Sequence, residues 1–315
     1  MAGDIFAYID GICLCGESFF FTAESHIRRT EGKKYRIRSP GGSAVLGSVI
    51  YFAAAGNFVY REHLAQRKIA EVCRIFLKES ETKSLLFDRT AHSFKKMKKA
   101  FDGFNKNLIV TSVSPWLMER AKQSPILAGK QHTVVMNGLD TSVFYPREVG
   151  KLKLGLGIDD EKIIFHATPI FSDNPEHIKG GCYIIKLAEM LKGKNVKIIV
   201  AGSYPENLKV PDNILLLGKV NDQNRLAELY SVADITVIAS KRETFSMVCA
   251  ESLCCGTPVA GFKAGGPETI SLPEYSEFVN YGDLNSLYSH INCFLNEARD
   301  KNKISASAVR VYGSQ

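Results

Sequence analysis

The sequence predicts an α/β chain whose second half is a parallel sheet covered by helices on both sides. Three observations carry this. Short β-rich runs alternate with helical patterns from about Lys151 onward. The strand runs are apolar on both faces, which an antiparallel sheet with one wet face would not need. The composition, 45% hydrophobic and 23% charged, is that of a globular chain with a real core. With 315 residues, two domains fit better than one. The expected division is 1–145 and 146–315, the second being Rossmann-like.

The strand candidates of the second half are 163–168 (IIFHAT), 196–202, 213–220, 234–240 and 258–263, with 276–282 as a sixth. Helical patterns fall between them: 180–192, the run around RLAELYSVA, the run ending ESLCC, and DLNSLYSHINCFL. In such a sheet, ligands lie beyond the carboxyl ends of the strands. In the first half, 94–101 reads as an amphipathic helix with Phe94, Met97 and Phe101 on one face. It is followed by a strand at 106–114, a helix beginning PWLMERAKQS, and a strand at 132–140 that ends in an Asn-Gly turn. Residues 1–75 show no such alternation. The uncharged stretch 41–60 is long enough to span a bilayer, but its four glycines favour a buried helix or a strand–helix unit.

The net charge of +7 is uneven. Residues 1–150 carry 22 Lys and Arg against 14 Asp and Glu, whereas residues 151–315 carry 18 against 19. A basic first half suits peripheral contact with an anionic membrane or phosphorylated substrates. A solvated basic surface accounts for it equally well. The eight cysteines show no paired Cys-x-x-Cys metal pattern, and Cys13 and Cys15 lack partner ligands at zinc spacing. No secretory leader is read at the start, so reduced thiols and a cytoplasmic location, at most peripheral at the inner face of the membrane, are expected. No nucleic-acid partner is expected.

Three loops carry chemistry. The first is SKRETFSMVCAESLCCGTPVAGF, 240–262. A buried strand ends at Ser240, and a helix is expected to start near Thr244. A helix start presents unpaired N–H groups and partial positive charge, so Thr244, Phe245 and Ser246 are read as phosphate donors. Glu243 lies in the turn. Glu251 lies two helical turns on, roughly 12 Å along the axis at 1.5 Å per residue. Two carboxylates so spaced suit hydroxyls at two points of one extended ligand. The plainer reading is a helix-end charge at Glu243 and a surface carboxylate at Glu251. The second loop is KAGGPETI, 263–270: Gly265 and Gly266 permit close backbone approach, Pro267 opens a helix, and Glu268 lies in its first turn. Alone it is an ordinary βα loop. The third is HIKGG, 177–181, in which Lys179 could neutralise a diphosphate and Gly180 precedes a helix. All three loops fall at carboxyl ends of strands in one sheet. Their convergence points to one ligand with phosphates and hydroxyls, a nucleotide sugar.

The spacing Glu243–x7–Glu251, followed by CGTPV and GFKAGGPE, resembles glycosyltransferase family 4, a retaining family with the GT-B fold of two Rossmann-like domains facing a cleft. VVMNGLDTSVFYP (134–146) resembles that family's interdomain segment, and IVTSVSPWL (109–117) the last elements of its acceptor domain. LLFDRTAHSFKKMKKAF (85–101) resembles members of bacterial polysaccharide synthesis. The resemblance implies that Glu243 contacts the donor sugar and Glu251 the ribose. It implies that Lys179 neutralises the leaving diphosphate while the 244–246 amides bind phosphate or sugar. No metal or other cofactor is implied, because the cation and the helix dipole take that part. The implied partners are a nucleotide-sugar donor and a glycan or lipid-linked acceptor.

Two departures stand out. The family pairs the lysine with an upstream arginine, whereas 166–178 contains none and His177 is the nearest basic group. The family also opens with a strand and glycine-rich loop that 1–75 does not match, and its final crossing helix would begin about where this chain ends. The expectation is therefore a shortened GT-B member with an incomplete N-terminal domain and reduced transfer, in which His26, His63 and His92 are unsupported candidates for an acceptor-side base. The alternatives are a non-catalytic nucleotide-sugar-binding remnant and, less favoured by the spaced glutamates, a GT-B epimerase.

Overall fold

The computed structural model describes residues 29–30, 34–35, 48–52, 108–124 and 127–313. The 94–101 helix with its lysines, the three candidate histidines, Cys13 and Cys15 lie outside them. The chain divides into two compact units, Met1–Met136 and Asn137–Gln315.

In the first unit, β1 (Arg29–Thr30) and β2 (Lys34–Tyr35) form an antiparallel pair. β3 (Ser48–Phe52), β4 (Leu108–Ser112) and β5 (Gln131–Val134) form a parallel sheet in the order β3-β4-β5. Part of the 41–60 stretch is thus a strand. Helix α1 (Pro115–Lys122) follows β4. Ser114 caps it, its hydroxyl accepting from the Leu117 N–H, and Pro115 stands where its missing N–H costs nothing. Among the described residues no helix is long and apolar enough to cross a membrane.

The second unit is built on six parallel strands: β6 (Lys162–Ile170), β7 (Val196–Ser203), β8 (Ile214–Leu216), β9 (Ile235–Ile238), β10 (Val259–Phe262) and β11 (Ser276–Val279). Their spatial order is β11-β10-β9-β6-β7-β8. Every residue of β9 and β10 is buried, as the unbroken apolar runs require. Helix α2 (Gly150–Gly155) precedes the sheet. The crossover helices are α3 (Gly181–Met190), α4 (Gln223–Val232), α5 (Met247–Cys254) and α6 (Pro267–Ile270), while α7 (Leu284–Asn296) follows β11 and α8 (Lys301–Tyr312) closes the unit. One face of the sheet, with Ile164, Ile198, Val200 and Val237, packs against Ile184, Leu187 and Leu191 around α3 and Leu287, Ile291 and Phe294 of α7. Each such buried aliphatic side chain contributes about 1.5–3 kcal/mol. The other face carries α4 and α5, with Phe165 edge-on to Tyr230 at 5.0 Å and Thr236 within 2.7 Å of the Ser252 hydroxyl.

Strand order reverses between β6 and β9. The chain leaves β6 for β7 on one side and later returns to lay β9 on the other. At such a reversal the loops beyond the carboxyl ends diverge and leave a crevice. The loops at 171–180 and 239–246 are the two walls of that crevice, so the fold brings two of the three chemistry-bearing loops together.

Candidate active site

The walls are stitched at the main chain. The Lys241 N–H donates to the Ile178 carbonyl at 2.8 Å, which ties the β9 loop to the β6 loop. On the other side, the Glu243 N–H donates to the Ala264 carbonyl at 3.0 Å and the Gly266 N–H to the Glu243 carbonyl at 2.8 Å. The β9 loop therefore lies between the other two and is fixed by both. Gly266 is required for this: a Cβ there would stand 2.5 Å from the Thr244 carbonyl carbon and 2.6 Å from the Phe245 nitrogen. Across the crevice, Lys179 Nζ is 3.1 Å from Glu243 Oε1, the two side chains only 16% and 21% exposed.

Helix α5 begins at Met247, three residues later than the sequence pattern suggested. Thr244 and Phe245 belong to the turn. Ser246 is the cap, with a left-handed φ of 80° and a hydroxyl that accepts from the Cys249 N–H. The sequence pattern starts the helix near Thr244, but Phe245 is drawn inward instead. It is buried and meets the Tyr312 ring of α8 edge-on at 6.4 Å. The helical rise thus applies only from Met247, and Glu251 lies just over one turn into α5, about 6 Å along its axis.

Glu251 is half-buried among the fully buried Ala250, Ser252 and Leu253. Its Oε2 accepts from the Tyr230 hydroxyl at 2.8 Å. Burial raises its pKa above the usual carboxylate value, and the Tyr230 bond opposes that rise. Glu268 turns back on its own loop. Its carboxylate accepts from the Gly265 N–H at 2.8 Å and 2.9 Å and from the Ala264 N–H at 3.0 Å. Glu268 therefore braces the glycine loop, a role its position in the first turn did not disclose. Gly180 ends the β6 loop at a left-handed φ of 68° and packs on the Ala239 carbonyl.

Lys179, Glu243, Thr244 and Gly266 are thus brought together at the crevice, and Glu251 is placed deeper along α5. Tyr230, the partner of Glu251, was read in the sequence only as part of a helical run. The arrangement offers a cation beside a carboxylate, a second carboxylate one helical turn in, and the opening turn of α5. Together these can engage a ligand with an anionic middle and hydroxyls at both ends. Among the described residues no group of three or more His, Cys, Asp or Glu is placed to hold a metal ion.

Residues 159–309 match the family model described as Glycosyl transferases group 1. N-acetyl-alpha-D-glucosaminyl L-malate synthase of Bacillus anthracis is 28% identical over 193 residues, 58% of this chain and 48% of that protein. The first few curated relatives are matched over only about a third to a half of their own length, from 32% to 48%. Among solved structures, HepE of Anabaena in complex with UDP superimposes with a TM-score of 0.61 at 18% identity, covering 84% of this chain and 75% of that one. Sucrose-phosphate synthase of Thermosynechococcus elongatus gives 0.59 at 19%, covering 84% and 63%. At these identities the likeness is one of fold, and the fold is of the GT-B class.

Proposed function

We propose, from the premise that residues 159–309 belong to the group 1 glycosyl transferases, that the chain is a retaining glycosyltransferase. It moves a sugar from a nucleotide-sugar donor to a glycan or lipid-linked acceptor in polysaccharide synthesis, in the cytoplasm and at most peripherally on the membrane. The observation that carries the reading is the Lys179–Glu243 pair at the strand-order reversal, with Glu251 one helical turn into α5. When the bond between the anomeric carbon and the diphosphate oxygen breaks, negative charge develops on the diphosphate, and an ammonium already fixed at the crevice stabilises it without reorganisation. Glu243 accepts from the hydroxyls of the donor sugar and Glu251 from those of the ribose. The amides of the turn at 244–246 supply further donors to phosphate or sugar.

Calorimetry of the intact chain with UDP, GDP and ADP tests the donor half of this reading. UDP comes first, because it is the nucleotide in the HepE complex. At least one of the three should bind. A folded chain that takes up none of them overturns the reading.

A further inference from the structure

We infer that Tyr230 is the positioning residue for Glu251, its hydroxyl holding one carboxylate oxygen so that the other is presented to the ribose diol of a bound nucleotide. The ligand in this statement rests on the nucleotide-sugar reading above; the role of the tyrosine rests on the geometry that follows.

The Tyr230 ring is fully buried, a place where phenylalanine would pack as well and would leave no polar atom to satisfy. Its hydroxyl does not turn to a carbonyl of its own helix. It donates at 2.8 Å to a carboxylate on the neighbouring helix, 21 residues on. A phenol has one proton to give, and a carboxylate has about four acceptor positions. Tyr230 therefore fixes the plane and rotamer of Glu251 without exhausting it. Burial and the charge of Glu251 hold the phenol well above its ordinary pKa, so it remains a donor throughout the physiological range.

Both partners are themselves immobilised. Phe165 meets the Tyr230 ring edge-on at 5.0 Å and 88°, and Phe144 meets it at 6.5 Å and 60°. The Thr257 hydroxyl donates to the Tyr230 carbonyl at 2.6 Å. The Thr257 carbonyl accepts from the hydroxyl of Ser252, the residue after Glu251, at 2.9 Å. One threonine thus ties the Tyr230 carbonyl on α4 to Ser252 on α5, the residue next to Glu251. Lys301, the first residue of α8, donates to the Ser231 and Ala233 carbonyls at 2.6 Å each and to Thr257 Oγ1 at 3.2 Å, closing the end of α4. A glutamate side chain has three rotatable bonds, and holding it to one geometry before a ligand arrives removes much of the ordering cost of binding.

The test measures the preference of the intact chain for a ribonucleoside diphosphate over its 2′,3′-dideoxy counterpart, by calorimetry with whichever of UDP, GDP and ADP binds. Tyr230→Phe should reduce that preference by about three- to tenfold, the size of one hydrogen bond. It should leave the affinity for the dideoxy form near that of the parent, which general loosening of the core would not do. In a Glu251→Ala background, where the preference is already gone, Tyr230→Phe should change nothing further. Tyr230→Phe that keeps the full preference overturns the role of the tyrosine alone. A parent chain that binds both forms equally overturns the ribose assignment of Glu251 and this role with it. A parent chain that binds no nucleotide overturns the donor reading and both assignments.

Discussion

Lys179 and Glu243, 64 residues apart, form an ion pair with Nζ and Oε1 separated by 3.1 Å across the point where strand order reverses. The pair joins the loop after β6 to the loop after β9. A largely buried pair of this kind contributes little net stability, because the cost of desolvating both charges offsets their attraction. Its more telling consequence is electrostatic: Glu243 partly neutralises the ammonium that a diphosphate would use. Glu243→Gln should therefore leave binding of the free nucleoside diphosphate unchanged or tighten it by up to about fivefold, about 1 kcal/mol. The same variant should lose most of the advantage of the sugar-bearing donor over the free diphosphate. Calorimetry with the matched pair of ligands reads both quantities. Equal weakening of both would mean that Glu243 holds the loop and does not read the sugar.

Glu268 leads to a prediction about stability rather than binding. Its carboxylate takes the N–H groups of Ala264 and Gly265, which would otherwise lack acceptors in a loop packed against residues 243–245. Glu268→Ala should lower the free energy of unfolding by about 1–3 kcal/mol, the cost of leaving such donors unpaired. Glu268→Gln keeps an amide oxygen as acceptor and should cost less. Urea denaturation of the three proteins gives the order. If Glu268→Gln matched Glu268→Ala, the charge on the side chain, and not its capacity to accept, would be what the loop needs.

Much of the second unit was legible in the sequence because its determinants are local. The run KIIFHAT can only be a strand buried on both faces, and β6 follows it with Ile163, Ile164 and Phe165 fully buried. The three loops were legible for the same reason, since each follows an apolar run. What could not be read depends on where side chains turn in three dimensions. The pattern starts the helix near Thr244, but Phe245 finds a place against Tyr312, and the helix begins at Met247 with Ser246 as its cap. Glu268 sits in a first helical turn, as acidic residues often do, and nothing local says that it reaches back to Gly265. Tyr230 looks like one more apolar residue of a helical run until Glu251 is placed beside its hydroxyl. The final helix, Lys301–Tyr312, brings Tyr312 to Phe245 and to the Ile270 carbonyl, contacts that no spacing in the sequence announces.

His166 sets a pH limit on the fold. It is buried in the middle of β6, and its Nδ1 lies 2.9 Å from the Val237 carbonyl, so the neutral ring donates there. Burial pushes its pKa down from 6.5 to about 4, and the carbonyl bond opposes that shift. In the unfolded chain the ring takes up its proton near 6.5, whereas in the folded chain it does so only near 4. Between these values the unfolded state binds more protons, so the neutral ring's contribution is complete above about 6.5 and is lost as pH falls toward 4. The separation corresponds to about 3 kcal/mol, at about 1.4 kcal/mol per tenfold change in proton affinity. Urea unfolding at pH 7.5 and 4.5 should show a large drop for the parent chain and a smaller one for His166→Gln. Equal drops would assign the acid sensitivity to other groups.

Gly180 and Gly193 offer a matched pair for the last prediction. Both have a left-handed backbone, with φ of 68° and 79°. An alanine in that region costs about 1–2 kcal/mol at either position from its own backbone contacts. Beyond this the two differ. A Cβ at Gly193 meets nothing within 4 Å, whereas a Cβ at Gly180 would stand 2.0 Å from the Ala239 carbonyl oxygen and 2.9 Å from its carbon. That carbonyl is main chain, at the end of β9, and cannot swing aside as a side chain would. Gly180→Ala must therefore push apart the two loops that Lys241 and Ile178 hold together, and it must move Lys179, its immediate neighbour, away from Glu243. Gly193→Ala should lower stability by about 1–2 kcal/mol and leave nucleotide binding intact. Gly180→Ala should cost clearly more and weaken the nucleoside diphosphate as well, because the cation is displaced with the loop. Thermal melting and calorimetry on the two variants separate backbone strain, which they share, from the closure of the crevice, which only Gly180 serves. Equal behaviour in both measurements would show that the approach of Gly180 to Ala239 does not hold Lys179 in place.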